Sequence, residues 1–312
     1  MDELSFKQLF YLLCCPPCPN QITQKMAFLP PKVTYDFKEI EEKEESGGEI
    51  NESAGTSKSK DKEKKYEFVF MPEFAAETTG LDEKFIKDHF DAFYAKTKRR
   101  NRIACLHIKS PKKDAKFTLL FSHGNAADLG MLCSFYLKLV NQLNINLFSY
   151  DYSGYGRSTG SASEKNLYSD IESAYNILLK RYNLKKENVI LYGQSIGTAS
   201  TVDLATKTDT GGIVLHSPLM SGIRLLFPVR RTFCFDAFPI IDKVSKISSP
   251  TLVIHGTHDE IINFSHGLQI YDTLKNPVEP LWVKGGHHND IEQYKQYFER
   301  LQNFMNVDLN PK

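Results

Sequence analysis

VILYGQSIGTASTVDLAT, residues 189–206, reads as a strand, a tight turn and a helix in direct succession. Val189 to Tyr192 is a short unbroken apolar run, the pattern of a strand covered on both faces of a parallel sheet. Gly193-Gln194-Ser195-Ile196-Gly197 follows and matches G-x-S-x-G. A serine on a sharp strand-to-helix turn needs neighbours without a Cβ, because the two backbones crowd each other two positions to either side. Such a turn leaves the Ser195 hydroxyl exposed above the sheet. It also aims the Ile196 N–H, at the helix start, toward the place where negative charge would build on a reacting oxygen. Alone, the pentapeptide often marks an ordinary turn; here an apolar strand precedes it and a helix-forming stretch follows.

Outward from this turn the same alternation repeats. Phe117–Ser122 is an apolar strand ending in His123-Gly124-Asn125-Ala126, followed by a helix over Leu129–Leu143 and a strand over Ile145–Tyr150. The glycine-rich run Asp151–Ser158 lacks the G-x-x-x-x-G-K-[ST] spacing of a phosphate loop. Ser163 and Glu164 open a helix that reaches about Arg181, and Gly212–His216 is the strand after the serine turn. Alternation resumes with strand Thr251–His255, helix 261–274, strand Leu281–Val283 and a closing helix from about Asp290. Upstream, the sheet is expected to begin near Tyr66–Phe70 and to continue at Ile103–Ile108, with the basic run 96–102 as a solvated connection. This alternation predicts an α/β architecture with a mostly parallel, doubly wound sheet. Residues 217–249, rich in aromatics, Pro and Arg, interrupt it after the sixth predicted strand and are read as a small cap. Arg224, Arg230 and Arg231 within it are candidates to face anionic headgroups.

The chain has 312 residues, 41% hydrophobic and 25% charged, which suits one large domain with appendages. A net charge of +1, with basic residues neither clustered nor interleaved with aromatics, argues against a nucleic-acid partner. No run approaches the roughly eighteen apolar residues of a spanning helix. Of six cysteines, Cys105, Cys133 and Cys234 are scattered through core-like sequence, unlike a secreted disulfide framework. Cys14, Cys15 and Cys18 are clustered in MDELSFKQLFYLLCCPPCPN, residues 1–20. An acidic start and the absence of a small-x-small site argue against a signal peptide. Three cysteines without a nearby fourth ligand are an incomplete zinc set. Clustered cysteines beside a short apolar segment fit S-acylation, and two or three acyl chains hold a protein at a membrane where one does so only marginally. Residues 38–65 are a Glu/Lys/Ser/Gly run with little to bury and are expected to be disordered. The resulting division is an anchoring segment at 1–37, an insertion at 38–65 and a folded domain at 66–312.

A serine nucleophile needs an imidazole to take and return a proton and a carboxylate to orient that imidazole. In α/β hydrolase folds these follow in the order Ser, Asp/Glu, His, each in a loop after a strand. Strand Thr251–His255 is followed by Gly256-Thr257-His258-Asp259-Glu260, which puts Asp259 at the carboxyl edge of the sheet with Glu260 as its near rival. Strand Leu281–Val283 is followed by Lys284-Gly285-Gly286-His287-His288-Asn289-Asp290, and spacing leaves His287 and His288 both open. Of the nine histidines, His123, His216 and His255 end strands and are read as orienting loops. The second oxyanion donor is expected from the loop after Phe117–Ser122, as the N–H of Asn125 or Ala126, with Gly124 allowing a close approach. No metal-ligand cluster or dinucleotide fingerprint appears, so the expected chemistry is hydrolysis without a cofactor.

CCPPCP, HGNAADLG, YDYSGYGRSTGSASEKNLYSDI, LYGQSIGTASTVDLA, HSPLMSGIR, CFDAFPIIDKVSKISSP, VIHGTHDEIINFSHG and LWVKGGHHNDIE together resemble the alpha/beta hydrolase domain-containing protein 17 family. The resemblance covers nearly the whole chain outside 38–65. It implies an α/β-hydrolase fold and a palmitoyl-protein thioesterase whose substrates are S-palmitoylated membrane proteins. It also implies attachment to the cytoplasmic face of plasma and endosomal membranes through acylated Cys14, Cys15 and Cys18. The family serine falls on Ser195, its acid on Asp259 and its base on His288, where His287 replaces the usual glycine. Two other readings are weighed: a lipid or carboxyl esterase or peptidase on the same residues, and an acylated membrane adaptor without activity.

Overall fold

The computed structural model describes residues 27–40, 64–75, 83–229 and 231–310. In chain order the strands are β1 (Tyr35–Glu39), β2 (Tyr66–Phe70), β3 (Phe90–Lys96), β4 (Arg102–Ile108), β5 (Thr118–Ser122), β6 (Asn146–Tyr150), β7 (Val189–Gln194), β8 (Gly212–His216), β9 (Thr251–Gly256) and β10 (Leu281–Val283). They form a single sheet in the order β1-β2-β3-β4-β6-β5-β7-β8-β9-β10. From β6 to β10 every neighbour is parallel, while β1 to β4 and the β4–β6 pair are antiparallel. The serine strand β7 thus lies between β5 and β8, deep within the parallel half.

Burial on both faces explains the continuous apolar runs. In β7, Val189 and Leu191 point to one core and Ile190 and Tyr192 to the other. The first core receives Leu167, Ile171, Ala174 and Leu178 from the helix Glu164–Arg181, and Ala199 and Val202 from the helix Gly197–Ala205. The second receives Tyr136 and Val140 from the helix Cys133–Leu143, and Tyr297 and Leu301 from the helix Lys295–Asn303. Glu164–Arg181 starts where its capping residue predicts, with the Ser163 hydroxyl accepting the Asn166 N–H at 3.2 Å. No helix among the described residues is long and apolar enough to cross a membrane.

Two strands were not expected from the sequence, β1 and β3. β1 pairs with β2 in the register Tyr35↔Phe70 to Glu39↔Tyr66, so Lys38 and Glu39 lie in the sheet rather than in the insertion expected from 38 onward. Tyr35 and Phe37 turn inward and Asp36 outward, a period-two alternation over only a few residues. At the other end Ile40 N–H reaches the Lys65 carbonyl at 2.9 Å. The folded domain therefore begins before residue 66, since Phe28 is also buried in the first core. Residues 41–63, like Cys14, Cys15 and Cys18, lie outside the described residues.

Among its described residues, segment 217–249 has one short helix, Gly222–Leu226, and a 3-10 turn at Val244–Lys246. Phe238, Ile240, Val244 and Ile247 anchor it in the first core, while Leu226, Phe227, Phe233 and Phe235 are exposed. Arg224 is not a surface residue, contrary to the headgroup reading. It is buried, its guanidinium donating to Ser221 Oγ at 3.1 Å and Thr232 Oγ1 at 3.0 Å, with Asp236 at 3.5 Å. It fastens the segment to itself. Arg231 is exposed, and Arg230 lies outside the described residues.

Candidate active site

β7 ends at Gln194, and Ser195 follows with φ of +52°, in the left-handed region that L-residues seldom enter. The Ser195 N–H donates to the His216 carbonyl at 2.9 Å, which ties the turn to the end of β8. The two glycines are required sterically. A Cβ on Gly197 would stand 2.1 Å from the Ser122 carbonyl oxygen, and one on Gly193 would stand 2.6 Å from the Gly197 carbonyl oxygen. Strand and helix can meet this closely only where side chains are absent. Ile196 opens the helix Gly197–Ala205, and its N–H makes no hydrogen bond among the described residues.

Asp259 stands just past β9. Its Oδ1 accepts the N–H groups of Ile261 at 3.0 Å and Ile262 at 2.7 Å. Its Oδ2 takes His288 Nδ1 at 2.7 Å, and His255 Nε2 lies 3.2 Å away. With Nδ1 donating to the carboxylate, His288 Nε2 is left as an acceptor for the Ser195 hydroxyl at 3.1 Å. Ser195, His288 and Asp259 therefore form one hydrogen-bonded line, assembled from loops after three different strands. Burial by itself would raise the Asp259 carboxyl. The bonds from His255 and His288, the electrostatic attraction of the His288 ring and the Ile262 N–H outweigh it, and the group is held well below the usual carboxylate range.

His287 and Glu260, the rival candidates, form a pair outside this line. His287 Nδ1 lies 3.1 Å from Glu260 Oε2, and both side chains are 56% exposed. Glu260 also accepts the His288 N–H at 3.3 Å, so it steadies the loop from its solvent side. The left-handed residue of this loop is Gly285, with φ of +78°, so a side chain at 287 imposes no backbone strain.

The loop after β5 stands against the serine. A Cβ on Gly124 would lie 3.8 Å from Ser195 Cβ, an ordinary contact, so the close approach does not by itself demand a glycine here. Of the two candidate donors in this loop, Ala126 is ruled out by its own bond. Its N–H points to Asn125 Oδ1 at 3.0 Å. The main-chain N–H of Asn125 makes no bond among the described residues, which leaves it, with that of Ile196, as the candidate pair of oxyanion donors.

Two strand-ending histidines do more than the sequence indicated. His255, fully buried, reaches both Asp259 and the Ile262 carbonyl, the latter at 2.9 Å. His216, beside the serine turn, meets Tyr192 Oη at 2.7 Å, and Tyr192 Oη in turn meets Tyr297 Oη at 2.7 Å. Burial, and the repulsion that a protonated ring would meet beside His288 and His255, pushes the His216 imidazole down to about 3, so it stays neutral. The spacing of His255 four residues before Asp259 was visible, but not that strand and loop would fold back on one carboxylate. The arrangement as a whole offers an activated alcohol, a proton carrier, a fixed carboxylate and two main-chain donors, the parts needed for acyl transfer to water.

Residues 113–233 match the family described as serine aminopeptidase, S33. The solved structure of an esterase from Pyrococcus furiosus superimposes with a TM-score of 0.57, covering 70% of this chain and 91% of the esterase at 14% identity, a likeness of fold. An alpha-beta serine hydrolase homologue from Coxiella burnetii gives 0.56 over 68% and 96% of the two chains, at 14% identity. Full-length similarity goes much further. Human alpha/beta hydrolase domain-containing protein 17B is 50% identical over 311 residues, covering 99% of both chains. Mouse alpha/beta hydrolase domain-containing protein 17C is 48% identical over 325 residues, covering 99% of this chain and 97% of the relative. The chain is thus a serine hydrolase of the α/β fold, and it belongs to the alpha/beta hydrolase domain-containing protein 17 family.

Proposed function

We propose that this protein removes S-linked palmitoyl groups from membrane-associated proteins. The observation that carries the reading is the unbroken line from Ser195 through His288 to Asp259, at 3.1 and 2.7 Å. In this mechanism Ser195 Oγ attacks the thioester carbonyl while His288 Nε2 takes its proton. Charge gathering on the carbonyl oxygen is met by the N–H groups of Ile196 and Asn125. Collapse breaks the C–S bond, His288 returns its proton to the departing sulfur, and an acyl-serine remains. Water then attacks the acyl-serine with His288 again as base, releasing the fatty acid and restoring Ser195. Thioesters suit such a site because a thiolate leaves easily. Family membership and the cysteine cluster at 14–18 support a membrane-bound acyl substrate. Purified Ser195→Ala is expected to lose both acyl-thioester turnover and fluorophosphonate labelling; surviving label would remove Ser195 as nucleophile.

The fold shared with esterases favours one second reading, turnover of lipid or carboxyl oxyesters on the same residues. Parallel assays on a palmitoyl thioester, the matching oxyester and an amide separate them: thioester preference is expected, and oxyester preference would shift the assignment. A native protein that takes no fluorophosphonate at all would revive the adaptor reading. The proposed anchor is S-acylation of Cys14, Cys15 and Cys18, holding the enzyme on the cytoplasmic face of plasma and endosomal membranes. Changing all three to Ser is expected to release the protein from the membrane pellet; unchanged pelleting would locate the anchor elsewhere.

A further inference from the structure

We infer that the Asn125 side chain is a positioning residue that ties residues 27–29 to the oxyanion loop, so that this N-terminal strap sets where the second oxyanion donor stands. The inference rests on the reading of Ser195 as nucleophile. Asn125 faces the strap with both ends of its carboxamide: Nδ2 donates to the Ala27 carbonyl at 2.9 Å, and Oδ1 accepts the Leu29 N–H at 2.9 Å. The same Oδ1 accepts the Tyr155 hydroxyl at 2.7 Å and the Ala126 N–H at 3.0 Å. Leu29 N–H is shared with Tyr155 Oη at 3.0 Å. One side chain thus joins the strap, the oxyanion loop and the turn after β6.

Three features make this a device rather than a surface contact. Ala126 has φ of +55°, an unfavourable conformation for a residue with a Cβ, and its N–H is held by Asn125 Oδ1. Between the strap residues that Asn125 grips, Phe28 is 5% exposed, edge-on to Tyr155 and to Phe238 of segment 217–249 with ring centres 6.4 and 5.7 Å apart. The strap is gripped again farther along, where Thr34 N–H donates to Asp128 Oδ2 at 2.8 Å. The donor N–H belongs to Asn125 itself, so the peptide that must face the reacting oxygen is held by its own side chain. Without the strap, that side chain keeps only contacts that move with the loop and the turn after β6.

The test uses the full chain and three readouts: kcat and KM on a soluble acyl thioester, inhibition by an acyl trifluoromethyl ketone, and thermal unfolding. The ketone adds Ser195 Oγ and forms an oxyanion, so its Ki reports the donor directly. Asn125→Ala is expected to lower kcat by about 10²-fold, the lower end of the loss of one oxyanion donor, with KM within about threefold and Ki raised in proportion to the kcat loss. Tyr155→Phe keeps the ring packing and removes one hydroxyl from the cluster. It is expected to lower kcat by about 2- to 10-fold with a parallel rise in Ki, and it carries the test if Asn125→Ala does not fold. A kcat within twofold of the unmodified protein in both variants would overturn the inference. So would a kcat loss with Ki unchanged, or one that follows only a lowered melting temperature. An unmodified protein that the ketone does not inhibit would instead remove the nucleophile reading, and this inference with it.

Discussion

Asp259 accepts hydrogen bonds on both oxygens, from two main-chain N–H groups and from His288, with His255 against the same oxygen as His288. A carboxylate held this way stays ionised and orients one imidazole tautomer. Asp259→Asn keeps the shape but reverses the donor and acceptor preference at His288 Nδ1, and kcat should fall by about 10⁴-fold with the fold intact by circular dichroism. A loss under tenfold would show that Asp259 does not set the tautomer. His255 acts on the same carboxylate without reaching Ser195. His255→Ala should lower kcat and shift the acidic limb of its pH profile, while His255→Gln, whose amide can still donate, should recover most of the rate. Equal losses in both would make His255 a packing residue. This much was partly legible: Asp259 and His288 each follow a recognisable strand, whereas His255 and His216 looked like ordinary strand ends. Their roles depend on which side of a strand faces the site.

The strand–turn–helix at 189–206 stores its strain where the serine sits. Gly197→Ala would drive a Cβ to within 2.1 Å of the Ser122 carbonyl, which is backbone and cannot step aside. We expect a stability loss of about 1–3 kcal/mol by denaturant unfolding and a near-complete loss of turnover, because relief of the clash must move the helix start that carries the Ile196 N–H. Retained activity in that variant would mean that the turn is looser than its geometry indicates. Apolar runs buried on both faces were readable in the parallel half of the sheet, from β5 to β10. The antiparallel edge was harder to read. β1 offers only a short alternation before a charged run, and nothing local marks it as pairing with β2 across the intervening chain.

Across the whole molecule, buried neutral histidines make stability depend on pH. Burial pushes His216 down to about 3 and His107 down to about 4, against an ordinary value near 6.5 in the unfolded chain. The unfolded state therefore binds more protons than the folded state between those values. The stabilising effect of their neutral forms is complete above pH 6.5 and is lost as the pH falls, toward about 4 for His107 and about 3 for His216. Each should contribute a slope of about 1 kcal/mol per pH unit in that window. His107 stacks on Tyr182 with ring centres 4.0 Å apart, so His107→Phe keeps an aromatic ring there and should flatten the curve of unfolding free energy against pH. An unchanged slope would show that His107 is protonated with little penalty in the folded protein.

The sequence by itself determined the α/β alternation, the serine turn and the order of serine, carboxylate and imidazole, because each is written within a few neighbouring residues as an apolar run, a pair of glycines or a polar loop. Spacing left His287 and His288 both open and the resemblance pointed to His288; only the tertiary structure brings His288 to Ser195, spends the Ala126 N–H on Asn125 and places residues 27–39 in the domain. Those outcomes depend on the directions of groups apart along the chain, 93 residues for Ser195 and His288 and 27 to 35 for β1 and β2, while Asn125 adjoins Ala126 but its side chain also meets Leu29, 96 residues away. Local composition constrains such directions weakly, and packing across the sheet constrains them fully.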